Sequence, residues 1–258
     1  MAKTIAVVNQ KGGVGKTTSA VNLAACVAEK GYKVLLVDID AQGNATSGLG
    51  INKRETKLSS YDVLINAVPV ENVMIHTKFK NLWLVPSSMN LAGAELELVD
   101  TTRREAKLKN SLALVKDIFD FIFLDCPPSL GLITLNGLCA ADTVLVPIQC
   151  EYYALEGLSQ LISTIRHVKR LYNPLIDMEG VLLTMFDGRL NLTHQVVDEL
   201  KRFFPRKVYS TVIPRNVKLS EAPSFGMPII YYDKKSKGAE AYSEFAEEFL
   251  HKNGKEVV

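Results

Sequence analysis

Short β-branched runs of five to seven residues recur along the chain, each separated from the next by a longer stretch with apolar residues at helical spacing. The runs TIAVVN (4–9), KVLLVD (33–38), LWLVP (82–86), FIFLD (121–125), TVLVP (143–147), GVLLTMF (180–186) and VYSTVI (208–213) are nearly continuous in apolar character. That pattern predicts strands buried on both faces, not half-exposed strands with alternating polarity. Helix-compatible spacing fills 17–30, 91–119, 132–140, 154–172 and 192–204, with Gly31, Pro174 and Pro205 as stops. Strand and helix in strict alternation imply βαβ units and therefore a mostly parallel, doubly wound α/β sheet with helices on both faces. No Ser/Gly/Pro-rich linker, repeat or low-complexity tract divides residues 1–258, so one domain is expected. In such a sheet, ligands bind beyond the C-terminal strand ends, which is where chemistry must be sought.

The 258 residues are 47% hydrophobic and 22% charged, which excludes disorder, collagen and coiled coil. Thirty Lys+Arg against 28 Asp+Glu leave +2, so any nucleic-acid binding needs a local basic patch. The four cysteines (Cys26, Cys126, Cys139, Cys150) are widely spaced with no CxxC pair, as expected of isolated thiols in a reducing cytoplasm. The first apolar run is too short for a signal peptide, and the apolar stretch 129–150 is interrupted by Asn136, Asp142 and Pro147, so neither secretion nor membrane spanning is expected.

The first strand is followed by Gln10-Lys11-Gly12-Gly13-Val14-Gly15-Lys16-Thr17-Thr18 and a helix rich in small residues. Glycines let consecutive N–H groups converge on one anion, and the helix adds its positive N-terminal end. Lys16 supplies a point charge for the β- and γ-phosphates, and the Thr17 hydroxyl is a ligand for Mg²⁺. The strict G-x-x-x-x-G-K-[ST] pattern fails, because Gln10 stands where its first glycine would be. The second strand ends in Asp38-Ile39-Asp40, two carboxylates on one side of an extended chain. Asp40 is the candidate to position or deprotonate an attacking water, with Asp38 orienting the metal's water shell or the water-positioning segment. Asp125 ends the fourth run in a Walker B arrangement, where it would hold Mg²⁺ or its waters; Pro127 and Pro128 stiffen the chain after it.

With a lysine before the glycines, KGGVGKTT resembles the deviant-Walker ATPases, the class containing ParA/Soj partition proteins, MinD and the nitrogenase iron protein. The stretches DIDAQGNAT, DCPPSLG and IPRNVKLSEAPS narrow the resemblance to the ParA/Soj family, with Ala41 where many relatives carry proline and Lys218 where arginine is frequent. The resemblance extends from Lys3 to about Leu250 and begins at the first strand, so it is to the short type without a helix-turn-helix domain. It implies binding of ATP with Mg²⁺ and an ATP-sandwich homodimer in which Lys11 reaches the phosphates held by the other subunit. Pro214 and Asn216 match positions that line the adenine pocket. Arg189 and Lys218 match positions that contact DNA, with Arg215 a further candidate in the same basic stretch.

That stretch, 201–220, contains Lys201, Arg202, Arg206, Lys207, Arg215 and Lys218 and no acid, and is expected to form the local patch. Binding there would be to double-stranded DNA without sequence preference, placing the protein on the nucleoid. The family also implies a ParB/Spo0J-like centromere-binding partner that stimulates slow hydrolysis. A nitrogenase-type reductase is disfavoured because no second cysteine sits in a cluster-ligand context. A MinD-like membrane anchor is disfavoured because 238–250 carries four glutamates before any base, and its Tyr242, Phe245 and Phe249 stripe fits an inner face packed on the sheet. The alternatives kept open are a MinD-like positioning ATPase acting on a protein scaffold or membrane, and a metabolic ligase on the same fold.

Overall fold

A computed structural model of the protein describes residues 1–151 and 154–256. Its strands are β1 (Lys3–Val7), β2 (Val34–Asp38), β3 (Ile75–His76), β4 (Leu82–Val85), β5 (Phe121–Asp125), β6 (Thr143–Gln149), β7 (Asp177–Phe186) and β8 (Val208–Pro214). The helices are α1 (Lys16–Glu29), α2 (Asn44–Gly48), α3 (Ser60–Leu64), α4 (Val70–Val73), α5 (Leu91–Val99), α6 (Lys107–Ala113), α7 (Leu132–Ala140), α8 (Ala154–Leu171), α9 (Asn191–Phe203), α10 (Val217–Glu221), α11 (Ile229–Tyr232) and α12 (Lys237–Lys252). The strands form one sheet in the order β3-β4-β2-β5-β1-β6-β7-β8, parallel throughout except for β3 against β4.

Alternate residues of each central strand feed two cores. Ala6, Leu35, Val37, Ile122, Leu124, Val144 and Val146 pack against α3 and α5–α9 on one face. Ile5, Val7, Leu36, Phe121, Phe123 and Leu145 pack against α1 and α10–α12 on the other. Both side-chain directions are thus buried, which is why these strands read as unbroken apolar runs. Small residues Ala20, Ala24, Ala25 and Ala28 let α1 lie close under the sheet. The Tyr242, Phe245 and Phe249 stripe is the buried face of α12, as its spacing predicts. Phe249 sits 5.2 Å and 5.6 Å, ring to ring, from Phe121 and Phe123.

Seven of the strands coincide with the predicted runs. The two-residue β3 was not anticipated, being too short to show any periodicity. The expected helix over 91–119 is broken: α5 stops at Val99, Arg103 adopts a left-handed backbone (φ +50°), and α6 starts at Lys107. The interrupting Asp100-Thr101-Thr102 is poor helix sequence, and Thr101 turns its hydroxyl onto the Glu97 carbonyl. Replacing Phe249 by Ala should cost about 3–5 kcal/mol of stability by opening a cavity between α12 and β5, measured by denaturant titration; a loss below about 1 kcal/mol would contradict this packing.

Candidate functional site

The parallel strands end together, and the register sets Val7 and Asp38 each opposite Asp125 at the tips of β1, β2 and β5. The glycine loop runs from β1 to α1. Gly13 and Gly15 have φ of +74° and +85°, a left-handed backbone that a side chain would strain. Gly15 stands at the N-cap of α1 and has no side chain to bond the first-turn N–H groups, which leaves them for an anion. The loop is pinned by its neighbours. Asn9 donates to the Pro147 carbonyl (2.8 Å) and accepts from the Lys11 N–H (3.0 Å), and Thr184 donates to the Val14 carbonyl (2.8 Å). Lys16 is 7% exposed and curls back to donate to the Lys11 carbonyl at 2.9 Å. Burial lowers its pKa, with Asp125 and Asp40 opposing that shift.

Three buried carboxylates face this loop, in different states. Asp38 is fully buried and fully engaged: Oδ1 accepts from the Asp40 N–H (3.2 Å), and Oδ2 from the Thr46 N–H (2.8 Å) and hydroxyl (2.7 Å). Burial pushes its carboxyl up to about 6, against the pull of these bonds. Asp38 therefore holds the segment after β2, one of the two roles its sequence position suggested. Asp40, 8% exposed, accepts from the Gln42 N–H at 2.9 Å in a tight turn. Asp125 is fully buried, and neither of its oxygens has a hydrogen bond of good geometry. Burial and Asp38 push its carboxyl well above the usual range, while the neighbouring Thr17 hydroxyl favours the charged form. Two orphaned oxygens beside a Thr hydroxyl at a strand tip are a fitting donor set for a hard cation such as Mg²⁺. Cys126 beside them is a buried thiol whose pKa is raised by desolvation, and all four cysteines are free and buried.

On the other side of the loop, a cavity of about 210 Å³ is lined by Gly15, Thr18, Thr184, Pro214, Asn216 and Tyr242, among others. Pro214 and Asn216 thus share one cavity with Gly15 and Thr18 of the loop and its helix. Asn216 Oδ1 caps α10 by accepting from the Lys218 N–H (2.9 Å), which fixes the side chain at the cavity. The same stretch reaches the segment after β2: Gly50 and Gly226, both at positive φ, meet so closely that a Cβ on Gly226 would fall 2.5 Å from the Gly50 Cα.

Lys11, about 38% exposed at its side chain, is ion-paired with Glu151 of its own chain. The basic stretch 201–220 is not one patch. β8 separates its two halves by about 20 Å at strand rise. Lys201, Arg202, Arg206 and Lys207 lie before β8, where Lys207 bonds Asp177 (2.9 Å) and Arg202 faces Glu199 (3.9 Å). Arg215 and Lys218 lie past its other end, and Arg189 joins them from the end of the neighbouring β7. Arg189 is almost fully exposed and grips Asp187 through Nε (2.9 Å) and Nη2 (2.6 Å), holding that carboxyl down at about 2, with Arg215 adding to the effect. Lys218 bonds Glu221 (2.8 Å) and lies 5.7 Å from the Tyr232 ring centre.

Sequence reading passed over Thr46, Ser87, Thr184 and Glu151. Thr46 stands in the quoted DIDAQGNAT stretch and could have been marked as the hydroxyl following the carboxylate pair. The other three are single polar residues brought in by the sheet order and carry no local pattern. Among the described residues, no helix is long and apolar enough to cross a membrane.

An AAA domain family matches residues 2–178. The chain is 57% identical to the sporulation initiation inhibitor protein Soj of Bacillus subtilis, over 96% of this chain and 98% of that one. It is 50% identical to the chromosome-partitioning ATPase Soj of Treponema pallidum, over 98% and 99% of the two chains. Among solved structures it superimposes with a TM-score of 0.85 and 37% identity on a protein described as cobyrinic acid a,c-diamide synthase of Mycobacterium smegmatis, with bound ADP and magnesium, covering 100% of this chain and 98% of that one.

Proposed function

The chain belongs to the Soj/ParA family of chromosome-partitioning ATPases, with ATP and Mg²⁺ as its ligands, and from that premise we propose that it is a DNA clamp switched by nucleotide. ATP closes two copies into a sandwich dimer. The dimer holds double-stranded DNA on the nucleoid without sequence preference, and slow hydrolysis, stimulated by a ParB/Spo0J-like centromere-binding partner, releases it. The observation that best supports this reading is that residues 214–218 do two things at once. Pro214 and Asn216 line the cavity beside the glycine loop, while Arg215 and Lys218, with Arg189, form the cationic end of the same edge of the sheet.

Within the site, the N–H groups of 12–18 and the Lys16 ammonium receive the phosphates. Thr17 and Asp125 would hold the Mg²⁺, which when bound neutralises charge building on the transferred phosphoryl group. Asp40 positions the attacking water or takes its proton. Lys11 exchanges Glu151 for phosphate oxygens of the partner copy. Half-exposed ion pairs contribute about 1 kcal/mol or less, so this exchange has a low threshold. On the DNA face, Arg189 and Lys218 exchange Asp187 and Glu221 for backbone phosphates, contacts that carry no base information.

The deciding experiment is binding to a random-sequence duplex across a salt series, comparing ATP-bound Asp40→Ala with ADP-bound wild type. Three contacts from each copy should give a log–log salt slope of roughly −5 in the ATP state; no binding in either state, with the dimer intact, would sink the DNA reading and favour a protein scaffold. Lys218→Glu is expected to lose DNA but keep the ATP-dependent dimer in light scattering, and joint loss would make that cation structural. Lys16→Ala should abolish ATP binding in calorimetric titration; unchanged affinity would refute the loop assignment.

A further inference from the structure

The turn that carries Asp40 is held from outside by two buried hydroxyls. Ser87 lies in the loop after β4 and is fully buried. Its Oγ donates to the Asp40 carbonyl at 2.6 Å, and its N–H donates to Thr46 Oγ1 at 2.9 Å. Thr46, fully buried in the short α2, donates its hydroxyl hydrogen bond to Asp38 Oδ2 at 2.7 Å, and Asp38 Oδ1 accepts from the Asp40 N–H. The circuit closes on itself: Ser87 holds the carbonyl of Asp40, Asp38 holds its N–H, and Thr46 joins the two holders. The Asp40 carbonyl also accepts the Gly43 N–H of its own turn, at 2.8 Å.

We propose that Ser87 and Thr46 are positioning residues for Asp40, acting on hydrolysis by fixing the backbone from which its carboxylate projects. The inference rests on the proposed role of Asp40. Both peptide groups of Asp40 are fixed, so the carboxylate keeps only its side-chain torsions. A buried, closed hydrogen-bond circuit specifies one geometry more sharply than apolar packing, because each member left unpaired is costly. Neither hydroxyl is among the residues lining the cavity beside the glycine loop, so losing one should disturb chemistry more than ATP affinity.

The test is single-turnover ATP hydrolysis with Ser87→Ala, Ser87→Thr, Thr46→Val and Thr46→Ser, with ATP affinity measured separately and Asp40→Ala run alongside. Ser87→Ala and Thr46→Val are expected to slow hydrolysis about tenfold or more, since small misplacements of a reacting group carry penalties of that size, while ATP affinity stays within about twofold. The hydroxyl-retaining Ser87→Thr or Thr46→Ser should recover most of the rate. Wild-type turnover in either hydroxyl-lacking variant would overturn the proposal, as would parallel loss of rate and ATP affinity, the mark of a merely structural role. If Ser87→Ala does not fold, Thr46→Val against Thr46→Ser decides by the same criteria. An active Asp40→Ala would instead bring down the Asp40 reading itself, whereas an inactive Asp40→Ala beside an active Ser87→Ala would bring down this inference alone.

Discussion

Everything at the strand tips depends on burying Asp125 where, among the described residues, its oxygens find no adequate partner. An unpaired buried carboxylate is among the most unfavourable groups a fold can carry, and its pKa rises in response. The sheet imposes this placement: β5 lies between β1 and β2, so its last residue has a strand on each side and helices above and below. Lys16 is the counter-charge in reach, but it is itself largely buried and turned onto the Lys11 carbonyl. The site thus holds a buried carboxyl and a buried ammonium that offset each other only in part. Under the proposed reading, a metal with a polyphosphate would relieve both at once, the cation meeting Asp125 and the anion meeting Lys16 and the open N–H groups of α1.

Asp38 shows how the surrounding structure keeps that imbalance local. It is as deeply buried as Asp125, yet it accepts three hydrogen bonds, each of which favours its charged form against burial. These two aspartates sit opposite each other in neighbouring strands, and they differ in the course of the chain beyond each strand tip. After Asp38 the chain turns back so that Thr46 can reach its carboxylate, whereas after Asp125 the chain leaves through Pro127 and Pro128, which have no N–H to offer. Satisfying one carboxylate and leaving its neighbour unpaired makes the first a scaffold and, under the proposed reading, frees the second to be a ligand.

The strand runs, the glycine loop and the acidic strand ends were legible in the sequence because each is a local pattern: apolar continuity for burial on two faces, spacing for the loop, and position after a strand for the carboxylates. What could not be read depends on sheet order. Ser87 becomes a neighbour of Asp40 only because β4 lies beside β2, and Thr184 reaches Val14 only because β7 follows β6 across the sheet. The break between α5 and α6 was present in Asp100-Thr101-Thr102 but was outweighed by the apolar spacing on either side. The basic stretch is the instructive failure. Charge counted along the chain over 201–220 mixes the two ends of a seven-residue strand, and an extended strand puts its ends farther apart than a charge patch spans.

Two of the three cations at the Arg215 end are, moreover, already paired. Arg189 and Lys218 each hold a carboxylate close in sequence, Asp187 and Glu221, which accounts for a chain with a net charge of only +2 carrying a DNA-binding face under the proposed reading. In one copy, such a face would exchange internal pairs for external ones with little advantage, since exposed pairs contribute little either way. Two copies presenting it together change the balance, because counterion release grows with every phosphate neutralised while the internal pairs broken per copy stay the same. Under the proposed reading, the segment 214–227 would tie that doubling to nucleotide, since it lines the cavity beside the glycine loop, bears Arg215 and Lys218, and meets the segment after β2 through the Gly50–Gly226 contact. A clamp of this kind needs no large conformational change within each copy: the nucleotide need only bring two already formed faces side by side.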